Sequence, residues 1–199
     1  MVAQPSPQTL SVEEWRALER TSHDVKHEYI DGSVYAMAGG TLDHSRIGAN
    51  AVTALTAALA GGPCRVYTSD AAARVSSSRY TYPDATVTCD ERDRGRITEI
   101  QSPRVIVDVL SPDSTEGYDR GRKFAYYRAC PTVEEYVLVS TSHHSVEVFR
   151  RMPEGWTAYR AYGAGDQVEL ASIGVHVAVP DLYMLTEVPE ILDLPEGEF

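Results

Sequence analysis

Residues Pro103 to Tyr127 read PRVIVDVLSPDSTEGYDRGRKFAYY, and the fold turns on how this stretch is read. Val105, Ile106, Val107, Val109 and Leu110 make a β-branched, nearly continuous apolar run, the pattern of a strand buried on both faces. Asp108 interrupts it. An uncompensated buried carboxylate is far too costly to keep, so this one must be paired, protonated or bound to a cation. The strand stops at Ser111-Pro112, because proline cannot continue a hydrogen-bond ladder. After a loop through Ser114, Thr115 and Gly117, Tyr118 to Arg128 reads as a helix with Lys123 near its middle and Phe124, Ala125 and Tyr127 available to a core. An acid on a strand is thus followed closely by a lysine on a helix.

Upstream, Thr9 or Ser11 can cap a helix over SVEEWRALER, with Glu13 and Glu14 in the first turn where the helix dipole favours negative charge. Asp31-Gly32 between two apolar runs predicts a hairpin of Lys26–Ile30 with Ser33–Ala38. Leu42, Ile47, Ala51, Val52, Leu55 and Leu59 recur at helical spacing and predict the longest helix, closed by Gly61-Gly62-Pro63. Arg65–Ser69 and Ala72–Ser76 read as pieces of one ribbon, Ser77–Arg79 as a turn, and Thr81–Cys89 as a strand carrying a second acid, Asp84, directly after Pro83. DERDRGRITEIQS reads as an exposed polar loop. Downstream, VEEYVLVST, SVEVFRRM, GWTAYRAY, VEL and HVAVPDLY predict a β-rich C-terminal part with antiparallel pairing. The order implies an α/β domain with a mixed central sheet, residues 1–186, and an acidic tail, 187–199.

The 199 residues suffice for a substantial core. No run of about 18 apolar residues occurs and the N-terminus has neither a basic nor an apolar leader region, so the expected compartment is the cytoplasm, with no membrane partner. Cys64, Cys89 and Cys130 are odd in number and lack CxxC spacing, which predicts free buried thiols. A net charge of −11 argues against a surface given over to non-specific nucleic-acid binding, though a local basic groove is compatible with it. His143-His144 would point to opposite faces of a strand and cannot share a metal. GxSxG, P-loop and GxGxxG motifs are absent. The tyrosines, scattered through strands, read mostly as sheet packing.

Two acids on adjacent strands, Asp84 and Asp108, can converge on one hard divalent cation, Mg²⁺ or Mn²⁺, leaving positions for water and phosphate oxygen. Lys123 would stabilise developing charge or orient water in a phosphodiester displacement. Pro83-Asp84, Asp108 and Lys123 in that order resemble the PD-(D/E)XK nuclease superfamily. More specifically, YPDATVTC, SPRVIVDVLSPDSTEGYDRGRKFAYYRACPTVEEYVLVS and HEYIDGSVYAMAGG look like the Uma-type restriction endonuclease family, catalogued as a domain of unknown function, with a match from His27 to Trp156.

That resemblance implies a restriction-endonuclease-like fold, a mixed central sheet flanked by helices with antiparallel strands added at the C-terminal part. It also implies Asp84 and Asp108 as metal ligands, Lys123 as catalytic lysine, DNA as substrate and pairing into a homodimer. Asp70, His44 and Glu28 match further family positions and are auxiliary candidates. Asp119, Arg120 and Arg122 flank Lys123, where the arginines could meet phosphates or form salt bridges within the helix. Two departures stand out: the usual lysine position, two residues after the second acid, holds Leu110, and the second acid is Asp108 where the family more often has Glu. A nuclease is therefore expected, and a catalytically silent binding or assembly module on the same fold is the alternative.

Overall fold

The computed structural model describes residues 9–37, 39–95, 98–111, 117 and 119–191, with backbone alone at 157 and 158. The expected helix start at Tyr118, most of the loop before it and the end of the acidic tail lie outside the described residues.

Helix α1, Val12–Thr21, begins at Ser11, whose hydroxyl accepts the Glu14 N–H while the Glu14 carboxylate accepts the Ser11 N–H. This reciprocal box satisfies two of the amides that a helix start leaves without partners. Its buried Trp15 donates to the His27 carbonyl at 2.7 Å and so ties α1 to strand β1, His27–Ile30. Asp31 and Gly32 both have positive φ, 50° and 91°, as a tight two-residue hairpin turn requires, and lead into β2, Ser33–Ala36. Helix α2, Leu42–Ala58, follows with Thr41 as its cap.

The next strands are β3 (Arg65–Thr68), β4 (Ala72–Ser76), β5 (Arg79–Thr81) and β6 (Ala85–Thr88). Here the structure corrects two expectations. Strand β3 belongs to a six-stranded sheet while β4 belongs to a five-stranded one, so they are not one ribbon. The run Thr81–Cys89 is likewise two strands in different sheets, broken at Tyr82-Pro83-Asp84. Pro83 offers no N–H to a ladder and restricts Tyr82, so the chain leaves one sheet and enters the other at that point. Asp84 sits where the sheets meet.

The remaining strands are β7 (Glu99–Ile100), β8 (Val105–Val109), β9 (Glu135–Val139), β10 (Ser145–Met152), β11 (Gly155–Gly163), β12 (Gln167–Leu170) and β13 (Val175–Ala178). A π-helical turn, Asp119–Lys123, runs into α3, Phe124–Ala129, and Val179–Leu182 forms α4. The five-stranded sheet has the order β2-β1-β5-β4-β7, the six-stranded one β11-β10-β9-β8-β6-β3, and β12 pairs with β13. Strands β8 and β9 are parallel, joined through the π turn and α3, while β6 and β8 are antiparallel. The expected α/β architecture with a mixed central sheet and added antiparallel strands is what the chain adopts.

Strand β8 is buried on both faces. Val105, Val107 and Val109 meet Ile47, Ala51 and Leu55 of α2 on one side. Ile106 and Leu110 meet Tyr127, Cys130, Tyr136 and Leu138 on the other. Alternation places Asp108 on this second face, beneath the π turn and α3.

Two polar expectations also change. The loop after Asp90 is not uniformly exposed, since it contains a 3₁₀ turn, Glu91–Asp93, and Asp93 is buried. Its carboxylate accepts from the Gln101 and Ser102 amides and the Thr88 hydroxyl, at 2.7, 3.0 and 2.7 Å, giving the loop's own donors a partner inside the fold. Cys64 and Cys89 are not free thiols but a disulfide, because the β3–β6 register that pairs Arg65 with Thr88 sets them opposite each other, with Cα atoms 3.9 Å apart. Cys130 is a buried free thiol, as expected. No helix among the described residues is long and apolar enough to cross a membrane.

Candidate active site

The β6–β8 register brings the two acids together. Its last pair is Ala85 with Val107, and the next step along both strands is Asp84 with Asp108. Asp84 Oδ2 accepts the Val109 N–H at 2.7 Å, so the backbone of one acid's strand holds the other acid. His44, in the first turn of α2, places Nε2 3.7 Å from the same oxygen. Gly40 makes room for that imidazole, because a Cβ there would lie 2.7 Å from the ring. Burial raises the Asp84 pKa, opposed by His44, the Val109 amide and Lys123.

Asp108 is 2% exposed. Its Oδ2 accepts the Tyr136 hydroxyl at 2.7 Å, and its Oδ1 faces Lys123 Nζ at 3.8 Å. Burial pushes its pKa up to about 7; Lys123 pulls downward, while Asp119 and Asp84 add to the rise.

Lys123 reaches this position from the end of the π turn. Its ammonium lies 3.4 Å from Glu28 Oε1 on β1 and 3.4 Å from Asp119 Oδ1 four residues earlier, besides Asp108. Burial lowers its pKa, but Asp108, Glu28 and Asp119 outweigh that, so the group titrates well above an ordinary lysine and stays charged. Leu110, two residues after Asp108, is packed into the core beneath α3, and the ammonium beside Asp108 comes from the turn.

Of the sequence-derived candidates, Asp84, Asp108 and Lys123 converge, and Glu28 and His44 join them. Glu28 is buried, and its Oε1 also accepts the Tyr82 amide at 3.3 Å, linking the Pro83-Asp84 segment to the lysine. Asp70 is placed otherwise: its side chain is 87% exposed and pairs with Lys26. Arg120 forms a two-bonded pair with Glu147 on β10, at 2.7 Å twice, and Arg122 is exposed. Two members of the cluster were not singled out from sequence. Asp119, seen there only as a neighbour of Lys123, is buried, and its Oδ1 makes no hydrogen bond among the described residues. Tyr136 has the pattern of a packing residue, and only the β8–β9 register, which sets it beside Ile106, puts its hydroxyl on Asp108.

The donor set suits a hard cation. The Val109 amide engages one oxygen of Asp84 and the Tyr136 hydroxyl one of Asp108, whose other oxygen faces Lys123, and all the nearby anionic donors are carboxylates. Among the described residues no group of three or more His, Cys, Asp or Glu side chains is placed to hold a metal ion. Two carboxylates agree with an ion such as Mg²⁺, which keeps several waters and takes substrate oxygens, and not with a closed structural site.

The chain is 41% identical over 175 residues to the uncharacterized protein slr1290 of Synechocystis sp., covering 87% of this chain and 91% of that protein. It is 27% identical over 151 residues to the uncharacterized protein sll1609 of the same organism, covering 73% and 84%. The fold is similar to the crystal structure of "a putative nuclease belonging to DUF820" from Anabaena variabilis, with a TM-score of 0.70, 17% identity and coverage of 87% of this chain and 97% of that one. The profile of the Uma2 family, described as "Putative restriction endonuclease", matches residues 12–180, and the chain belongs to that family.

Proposed function

We propose that the protein is a metal-dependent nuclease that hydrolyses phosphodiester bonds in DNA. The observation that carries this reading is the meeting of three groups at the sheet junction: a buried Asp108 with Oδ2 on the Tyr136 hydroxyl, Asp84 directly before the neighbouring strand β6, and a charged Lys123 whose Nζ faces Asp108 Oδ1 at 3.8 Å. Asp84 and Asp108 would hold Mg²⁺ or Mn²⁺, which when bound supplies Lewis-acid polarisation of the phosphate and an acidified water. Lys123 is too basic to remove a proton from water near neutral pH, so its role is to offset charge on a phosphoryl oxygen and orient the attacking water. His44 and the Val109 amide fix Asp84. Cleavage of supercoiled plasmid with Mg²⁺ or Mn²⁺ tests the reading with wild type, Asp108→Ala and Lys123→Ala. The wild type should nick or linearise the plasmid and both variants should fail, whereas equal cleavage by all three sinks the assignment.

A second reading, a silent binding or assembly module on the same fold, is favoured by the way Glu28 and Asp119 already flank the Lys123 ammonium. It predicts no divalent-ion binding by calorimetry. Pairing into a homodimer, which would present two sites to two strands, is part of the nuclease proposal and is read by light scattering at several concentrations.

A further inference from the structure

We propose that Tyr136 is the positioning residue of this site, through which β9 sets the direction of both Asp108 and the turn that carries Lys123. The proposal rests on the nuclease reading and adds to it a residue that neither composition nor motif marks. The Tyr136 hydroxyl donates to Asp108 Oδ2 at 2.7 Å and lies 3.3 Å from the carbonyl oxygen of Asp119, the first residue of the π turn. One O–H thus stands between the second acid and the segment that ends in the lysine.

The ring is held from several sides. Phe124 stacks on it at 5.6 Å, Tyr127 tilts against it at 4.8 Å and Phe149 lies at 6.5 Å. With the ring fixed, the hydroxyl position is fixed, and Asp108 loses its freedom to rotate about Cβ–Cγ. Oδ2 is then always the engaged oxygen and Oδ1 always the one facing Lys123 and an incoming cation. A phenylalanine would fill this face of the core equally well, so packing alone does not account for the hydroxyl. Partners of this kind behind a metal ligand are worth about 10–100-fold in metal affinity or activity.

Tyr136→Phe keeps the ring and its stacking partners and removes only the donor. The test is calorimetric titration with Mn²⁺ of wild type, Tyr136→Phe and Tyr162→Phe. The last removes a buried tyrosine hydroxyl that accepts the Glu169 amide, away from the cluster. The expected result is Mn²⁺ affinity about 10–100-fold weaker in Tyr136→Phe and unchanged in Tyr162→Phe. Plasmid cleavage at saturating Mn²⁺ should show a lower kcat with an unaltered KM for DNA in Tyr136→Phe, a split that general loosening of the core would not give. Wild-type Mn²⁺ affinity and kcat in Tyr136→Phe overturn the inference while leaving the nuclease reading intact. A wild type that binds no Mn²⁺ overturns that reading and the inference with it.

Discussion

Asp108→Asn should stabilise the folded protein at alkaline pH while abolishing the proposed cleavage. The Asp108 carboxyl titrates near 7 in the fold against 3.8 for an ordinary aspartate, because burial disfavours its charge more than Lys123 favours it. Between those two values the folded chain holds a proton that the unfolded chain has lost, so the contribution of Asp108 to stability falls as pH rises through that window. It is present below 3.8 and lost above 7. That rise in pKa corresponds to a ceiling of about 4 kcal/mol. Asparagine never ionises and escapes that loss, but its amide N–H₂ must find an acceptor, at a cost of about 1–3 kcal/mol if it does not. A net gain of about 1–3 kcal/mol at pH 8.5 in EDTA follows, shrinking to nothing or reversing near pH 4.5. Urea denaturation of both proteins at the two pH values measures it. A wild type at least as stable as Asp108→Asn at pH 8.5 would refute the reasoning, because the ionised carboxylate would then be fully compensated by its surroundings.

Lys123→Met removes the cation between Glu28, Asp108 and Asp119, and breaking a buried charge network of this kind costs about 3–5 kcal/mol at neutral pH. The loss should lessen on acidification as the carboxyls take up protons, and a deficit independent of pH would contradict the network. Glu28→Gln keeps an acceptor for the Tyr82 amide but takes one charge from the lysine. Cleavage should slow by about 10–100-fold with the melting temperature little changed, and an unaltered rate would remove Glu28 from the site. Reducing the Cys64–Cys89 bond, which closes a 25-residue separation, should lower stability by about 3 kcal/mol, and the Cys64→Ser/Cys89→Ser variant should match the reduced protein.

The strand pattern around Asp108 was legible because a β-branched run with one acid has few structural solutions, and the hairpin at Asp31-Gly32 because its turn needs two positive φ values. The ribbon error had a physical source. Thr81 to Cys89 has a strand's composition throughout, but Pro83 moves the chain between sheets, and a local pattern does not say which sheet receives each piece. The disulfide was missed for a similar reason: cysteines 25 residues apart become neighbours only through the β3–β6 register. In the site, the residues that carry a motif were found, while Tyr136 and Asp119 belong to it only through parallel pairing of β8 with β9 and through a π turn that no composition announces. Asp70 carried the opposite lesson, since a motif-like acid here faces solvent and Lys26.

The proposed chemistry requires Asp84 and Asp108 to share a divalent cation beside Lys123. Crystals soaked in Mn²⁺ and measured for anomalous scattering test it most directly. The expected result is a peak in direct coordination with an oxygen of each carboxylate, on the side facing Lys123, and its loss in Asp108→Ala. Mn²⁺ peaks elsewhere, with none between Asp84 and Asp108, would contradict it.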